Sequence, residues 1–291
     1  MQVRAEPPLN SAAIDWDLFA RMRAENLARW PTGAGVDLEA AVDYHLAMPA
    51  PKRAARVVRE AARLGRTLTQ PRGGFATPEM HLEMMRHLQD VGQADILPTT
   101  TDSYTRNERF AEAERGIEES RRLGRSMLNG LPVVNIGVGG CRALIDAIDR
   151  PAIMLTGTAM PRLTGEITLA AGYTAWLGSG IAYTASYTKD VPIAQGIRNY
   201  QYLDRLTALY GERGVEIHRR QPGFLTGTLI PPSIAVAVGV LDMLLAAHQG
   251  VRHYGIEIGQ CLCLPQDVAA IEVVPVLCRE YLGRLGLPEV F

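Results

Sequence analysis

From Ile14 to Gly65 apolar residues recur three and four apart, as in the runs Leu38 to Leu46 and Ala54 to Ala62, which predicts an N-terminal helical arm over residues 1–65. After Gly65 the pattern changes to short β-prone runs that end in Pro, Thr, Asn or Gly, each followed by a longer amphipathic stretch. The first unit pairs Thr67–Pro71 with a helix from Thr77 to Val91, where Thr77 and Pro78 supply an N-cap and a proline at the first helical position. Further strands are expected near 95–101, 126–129, 152–156, 173–177, 215–219 and 253–258. Helices are expected over 109–123, 141–148, 193–210, 234–248 and 267–285.

Repeated βα units imply a parallel sheet, because parallel strands need long crossovers. Seven such strands over 66–291 point to an α/β fold, a TIM-like (β/α)8 barrel that is incomplete at the C-terminus. The phrase LTGTxxP at Leu155–Pro161 and again at Leu225–Pro231 is a weak echo of a repeated unit. A doubly wound open sheet is the competing fold, and it usually carries a glycine fingerprint after an early strand. An eighth strand would begin at Glu289–Phe291. A seven-stranded barrel would leave two unpaired edges, so more protein is expected to follow, in a longer chain or a second polypeptide.

Composition then narrows the class. A chain of 291 residues with 47% hydrophobic content has ample material for a large core. Thirty basic and 31 acidic side chains nearly cancel, which argues against nucleic acid or an anionic membrane as partner and favours a small-molecule ligand. Residues 1–16 hold no apolar run of signal-peptide type, and later apolar stretches are interrupted before the roughly 20 residues of a membrane span; the expected location is the cytoplasm. The four cysteines are too few and too irregularly spaced for a disulfide framework. Lys52 and Lys189 are the only lysines, so arginine is abundant and any single Arg is weak evidence.

Candidate chemistry has ordinary competitors. The run Asn135–Cys141 (NIGVGGC) could cradle phosphate at a helix start, yet Arg142 stands where a third Rossmann glycine belongs and no P-loop Gly-Lys-Ser/Thr follows; an ordinary tight βα turn is favoured. Cys261 and Cys263 lack further ligands, and His81 and His87 lie six apart on one helix, so no metal held by protein ligands alone is expected. Lys189 could form a Schiff base in an aldolase-like lyase if desolvated. Tyr183 and Tyr187 follow the fifth expected strand, while Arg72 and Arg106 follow the first and second. Barrel sites are built at such strand ends, where two guanidiniums could grip carboxylates or be solvated loop residues.

These segments resemble the large subunit of glutamate (methylaspartate) mutase along nearly the whole chain. The likeness is carried by RWPTG at 29–33, QPR at 70–72, DSYTR at 102–106, GRSMLNG at 124–130, LTGTLIPPS at 225–233 and LLAAHQG at 244–250. The resemblance implies a (β/α)8 barrel that binds adenosylcobalamin jointly with a small cobalamin-carrying subunit, as a homodimer of the barrel subunit within a hetero-oligomer. It implies radical interconversion of glutamate and 3-methylaspartate, the cofactor supplying the difficult chemistry while the barrel excludes water. The partner's D-x-H-x-x-G motif has no full match here; the stretch from Asp43 to Met48 lacks the glycine.

Position by position, the resemblance implies substrate contacts at Arg72, Arg106, Tyr183 and Tyr187 and cofactor contacts at Gly74 and Asn129. It also exposes departures. A third arginine of the carboxylate grip is Leu155 here, a glutamate that meets the substrate amino group is Leu177, and a cofactor-contacting proline is Ser186. Each lost charged hydrogen bond is worth about 1.5 to 3 kcal/mol, so glutamate is expected to bind poorly. The alternatives are a mutase for a related acid, or a catalytically inactive paralogue acting as a binding or assembly partner. Further cofactor contacts in the family, a lysine and a glutamate, lie beyond Phe291, so the chain alone is expected to be inactive.

Overall fold

A computed structural model describes residues 12–223 and 230–291; the second copy of the LTGT phrase, at 225–228, lies outside them. The N-terminal arm is helical as its periodicity predicts: α1 (Trp16–Leu27), α2 (Leu38–Ala47) and α3 (Ala54–Arg63). Asp15 and Asp37 cap the first two, accepting from the Asp17, Leu18 and Ala40 amides. The arm is not a detached appendage. Phe19, Ala41, Val42 and Met48 are buried in the main core with Trp176 and Tyr202, and His45 binds the carbonyl oxygen of Leu169 at 2.8 Å.

Beyond the arm run α4 (Pro78–Asp90), β1 (Leu97–Thr100), α5 (Ser103–Arg106), α6 (Phe110–Leu123), α7 (Val133–Asp146), β2 (Ala152–Leu155) and α8 (Arg162–Ala171). They are followed by β3 (Ala175–Leu177), α9 (Gly180–Tyr187), α10 (Ile193–Glu212), β4 (His218–Gln221), α11 (Pro232–Gln249), β5 (Tyr254–Ile256) and α12 (Leu264–Arg284). All five strands are parallel, and their spatial order is β1-β2-β3-β4-β5. A doubly wound sheet reverses its order at a switch point; this one does not.

Two expected strands are corrected. Segment 67–71 does not form a ladder: Pro71 has no N–H to give, and the Thr69 carbonyl accepts from the Asp95 and Ile96 amides before β1, with the Gly73 carbonyl accepting from Thr100. Segment 126–129 is not a strand either. It contributes a single bridge through Leu131 to Thr101 just before Pro132, and β1 pairs directly with β2. The glycine run at 135–141 is also not a βα turn: it lies inside α7, which kinks at Gly137 (φ 71°, ψ 178°). At the other edge Phe291 is tied to the start of β5, since Tyr254 N–H donates to the Phe291 carbonyl and Phe291 N–H to the Arg252 carbonyl, but no strand is formed at 289–291.

The two faces of the sheet differ. Leu97, Met154 and Trp176 face the helices, whereas Ile153, Leu155, Ala175 and Leu177 cluster with Ile96 and Ala54, against Val58 and Leu68. Helix α3 covers this second face at the strands' N-terminal end, where Thr174 Oγ1 links the Ala54 amide to the Lys52 carbonyl. The sheet is strongly curled, because Arg220 on β4 reaches Gln70 at 2.9 Å, and Gln70 belongs to the segment beyond β1. In a flat sheet four strand spacings, roughly 19 Å, would separate them.

Helix α11 is long and apolar enough by composition to cross a membrane. About half of its apolar window is buried inside the protein, and buried Asp242 is bonded to the start of α9, the features of a core helix.

Candidate active site at the C-terminal ends of the strands

With α3 across the strands' N-terminal ends, the candidate side chains lie at the opposite rim. Parallel pairing places Thr100, Leu155, Leu177, Arg220 and Gly255 in one row across all five strands, each the register partner of the next. Leu155 and Leu177 are both 1% exposed, so the row is apolar at its centre.

Arg106 enters this rim from the end of α5, which Asp102 caps by accepting from the Tyr104 and Thr105 amides. Its Nε donates to the Thr101 carbonyl at 2.8 Å, and Thr158 Oγ1 donates to its own carbonyl at 2.5 Å. The guanidinium lies over Gly157, whose φ of +62° and lack of a side chain both matter: a Cβ there would sit 3.3 Å from Arg106 Cζ. Burial lowers the Arg106 pKa, the Tyr183 hydroxyl opposes this, and the like charge of Arg72 adds to it; a guanidinium stays charged regardless.

Tyr183 is 2% exposed and stacks on Tyr200 with ring centroids 6.4 Å apart. Burial pushes its hydroxyl up to about 12, while Arg72 and Arg106 pull it down and Glu257 pushes it up. Tyr183 therefore lies within electrostatic reach of Arg72, Arg106 and Glu257. Arg72 itself is exposed in the loop after 67–71. Tyr187 is brought to 6.3 Å from the Tyr183 ring, centroid to centroid, but at the end of α9 it is 60% exposed. Ser186 is half-buried on the same helix.

Gly74 and Asn129 meet at the adjoining rim. A Cβ on Gly74 would lie 2.7 Å from the Thr100 carbonyl and 2.9 Å from Gly130 Cα, so the rim there is bare backbone. Asn129 is exposed beside it, its Oδ1 taken by the Ser103 amide at 2.9 Å. Lys189 lies exposed in a bend after α9, without the desolvated surroundings a Schiff-base lysine needs. All four cysteines are free.

Two groups were not singled out by sequence reasoning. Arg220 was missed because the expected strand stopped at 219; β4 in fact runs through His218–Gln221, whose alternation sends Arg219 and Arg220 to opposite faces. Asp242 was missed because it stands alone in an apolar helix. Buried, it accepts from the Ile181 and Ala182 amides at 3.2 and 3.4 Å and so anchors the helix that carries Tyr183.

Comparison with known proteins gives the same assignment. A sequence model described as methylaspartate mutase E chain (MutE) matches residues 48–291. Proteins named glutamate mutase epsilon subunit are 49% identical over 97% of this chain in Desulfitobacterium hafniense, 44% over 94% in Treponema denticola and 41% over 97% in Escherichia coli O157:H7. The chain spans 58%, 56% and 58% of the length of these three relatives. The match to the family model and the identity along nearly the whole chain lead to one conclusion: the chain belongs to the methylaspartate mutase E chain family.

Proposed function

We propose that this chain forms the barrel subunit of an adenosylcobalamin-dependent carbon-skeleton mutase, acting in the cytoplasm with a small cobalamin-binding subunit on glutamate, 3-methylaspartate or a related acid. The convergence of Arg72, Arg106 and buried Tyr183 at the C-terminal rim of a curled parallel sheet carries the reading. The sequential strand order and the curl support a barrel, and the barrel fold keeps its chemistry at that rim.

Each residue has a physical task. Arg72 and Arg106 bind a carboxylate, and Arg106 is already held by Thr101 and packed on Gly157, so little freedom is lost on binding. With its pKa near 12, Tyr183 remains a neutral hydrogen-bond donor at neutral pH. Leu155 and Leu177 exclude water from the floor. Gly74 and Asn129 line the side on which adenosylcobalamin would be presented by the partner, and when bound that cofactor supplies the radical for hydrogen abstraction.

The test combines the protein at its full natural length with a small cobalamin-binding subunit and adenosylcobalamin, and follows L-glutamate by proton NMR. Isomerisation of L-glutamate to 3-methylaspartate, or of a related small dicarboxylic acid supplied in its place, lost in Arg106→Met, is the expected result. No turnover of L-glutamate or of other small dicarboxylic acids would favour a catalytically silent assembly partner.

A further inference from the structure

The inward row at the rim is apolar at Leu155 and Leu177 and then abruptly charged at Arg220, the register partner of Leu177. Arg220 Nη2 donates to Glu257, and Nη1 donates to Gln70 Oε1 at 2.9 Å. The side chains of the ion pair keep 19% and 29% of their exposure; they are shielded, yet open to a solute arriving from the rim. Glu257 is also the acid that acts on Tyr183, together with Arg72 and Arg106.

Space has been left for this pair. At Gly255, the next position in the row, a Cβ would lie 3.2 Å from Arg220 Cγ and 3.3 Å from His218 Nε2, so a side chain there would press on the arginine stem. Stability alone does not account for the arrangement, since partly buried ion pairs are typically no better than apolar residues of similar size. A positive and a negative group held side by side, the acid acting on the same tyrosine as Arg72 and Arg106, instead match a ligand with a carboxylate and an ammonium on neighbouring atoms and a second carboxylate further off.

We propose that Arg220 and Glu257 determine specificity by taking the head group of an amino dicarboxylic acid, Arg220 its carboxylate and Glu257 its ammonium, while Arg72 and Arg106 hold the second carboxylate. This relocates to β4 and the end of β5 the charges that Leu155 and Leu177 do not provide. The inference rests on the mutase reading only for the position of the substrate site.

Calorimetry without cobalamin tests it on the full chain with two probes, L-glutamate and glutarate, which lacks the ammonium. The wild type is expected to bind both. Arg220→Met should weaken both by about tenfold or more, and Glu257→Gln should weaken L-glutamate by about tenfold while leaving glutarate nearly unchanged. Circular-dichroism melts separate loss of fold from loss of binding, and Arg220→Lys, which keeps the charge but not the fork, should bind with intermediate affinity. No binding of L-glutamate by the wild type, or equal affinities in wild type and folded Arg220→Met, would overturn the inference. Binding that depends on Arg220 in a protein that isomerises nothing with its cobalamin partner would sink the mutase reading alone.

Discussion

At the scale of single residues the centre of the site is set by Leu155 and Leu177, register partners whose side chains share the inward face and are each 1% exposed. A charge placed at Leu155 alone would be buried without a partner, and one at Leu177 would meet only Arg220, which is already paired with Glu257; such burial typically costs several kcal/mol. Charges of opposite sign placed at both would be neighbours across the strand pair, where they attract. Leu155→Arg and Leu177→Glu are therefore each expected to lower the melting temperature markedly, and the double variant to melt higher than the sum of the two losses allows, with a coupling of roughly 1–3 kcal/mol. Strict additivity in a thermal-melt cycle would show that these side chains do not meet.

At the scale of elements, α9 carries Tyr183 and Tyr187 but has no side-chain cap of its own; its first amides are met by Asp242 from α11. Burial pushes the Asp242 carboxyl up to about 7, and the two amide hydrogen bonds oppose it only in part. Because the folded-state value is raised, the contribution to stability is fully present below the unfolded value near 4 and is lost as pH rises through 7. An Asn at this position has no charge to bury. Asp242→Asn should thus gain on the wild type by up to about 4 kcal/mol between pH 4 and pH 8, read as diverging urea midpoints; parallel midpoints would show that this carboxyl does not titrate there.

The same element shows what sequence can and cannot reveal. Tyr183, Tyr187, Arg72 and Arg106 could be singled out as candidates because each follows a β-prone run, and position relative to such a run is a local property. Asp242 could not, because its partners lie about sixty residues earlier in the chain. Segments 67–71 and 126–129 read as strands from residue type alone, whereas pairing is decided by neighbours: β2 takes the edge of β1 that 126–129 was expected to occupy. The glycines at 137–140 suggested a turn, yet only Gly137 leaves helical geometry, and the chain continues as helix on both sides.

At the scale of the whole molecule, three neutral histidines are buried, and two of them tie distant parts together. His45 joins the N-terminal arm to α8 through Leu169. His81 accepts from the Phe75 amide and meets Thr99 on β1 at 3.0 Å, and Thr99 meets Tyr173 at 2.9 Å. His218 is buried at the start of β4. Burial lowers all three, His45 to about 4 and His81 and His218 to about 3, with the nearby arginines adding to the effect at His218 and, after the opposing Leu169 hydrogen bond, at His45. A lowered folded-state value has the opposite sign to that of Asp242: the stability is present above the unfolded value near 6.5 and is lost as pH falls below it. Each histidine then withdraws about 3 kcal/mol or more by pH 4, so together they outweigh the single carboxyl that gains over the same interval. The urea midpoint should fall steeply from pH 7 to pH 4, and His45→Gln, which keeps a donor for Leu169 but cannot take up a proton, should fall less. An acid limb as steep in His45→Gln as in the wild type would mean that the arm is not held to α8 through a neutral imidazole.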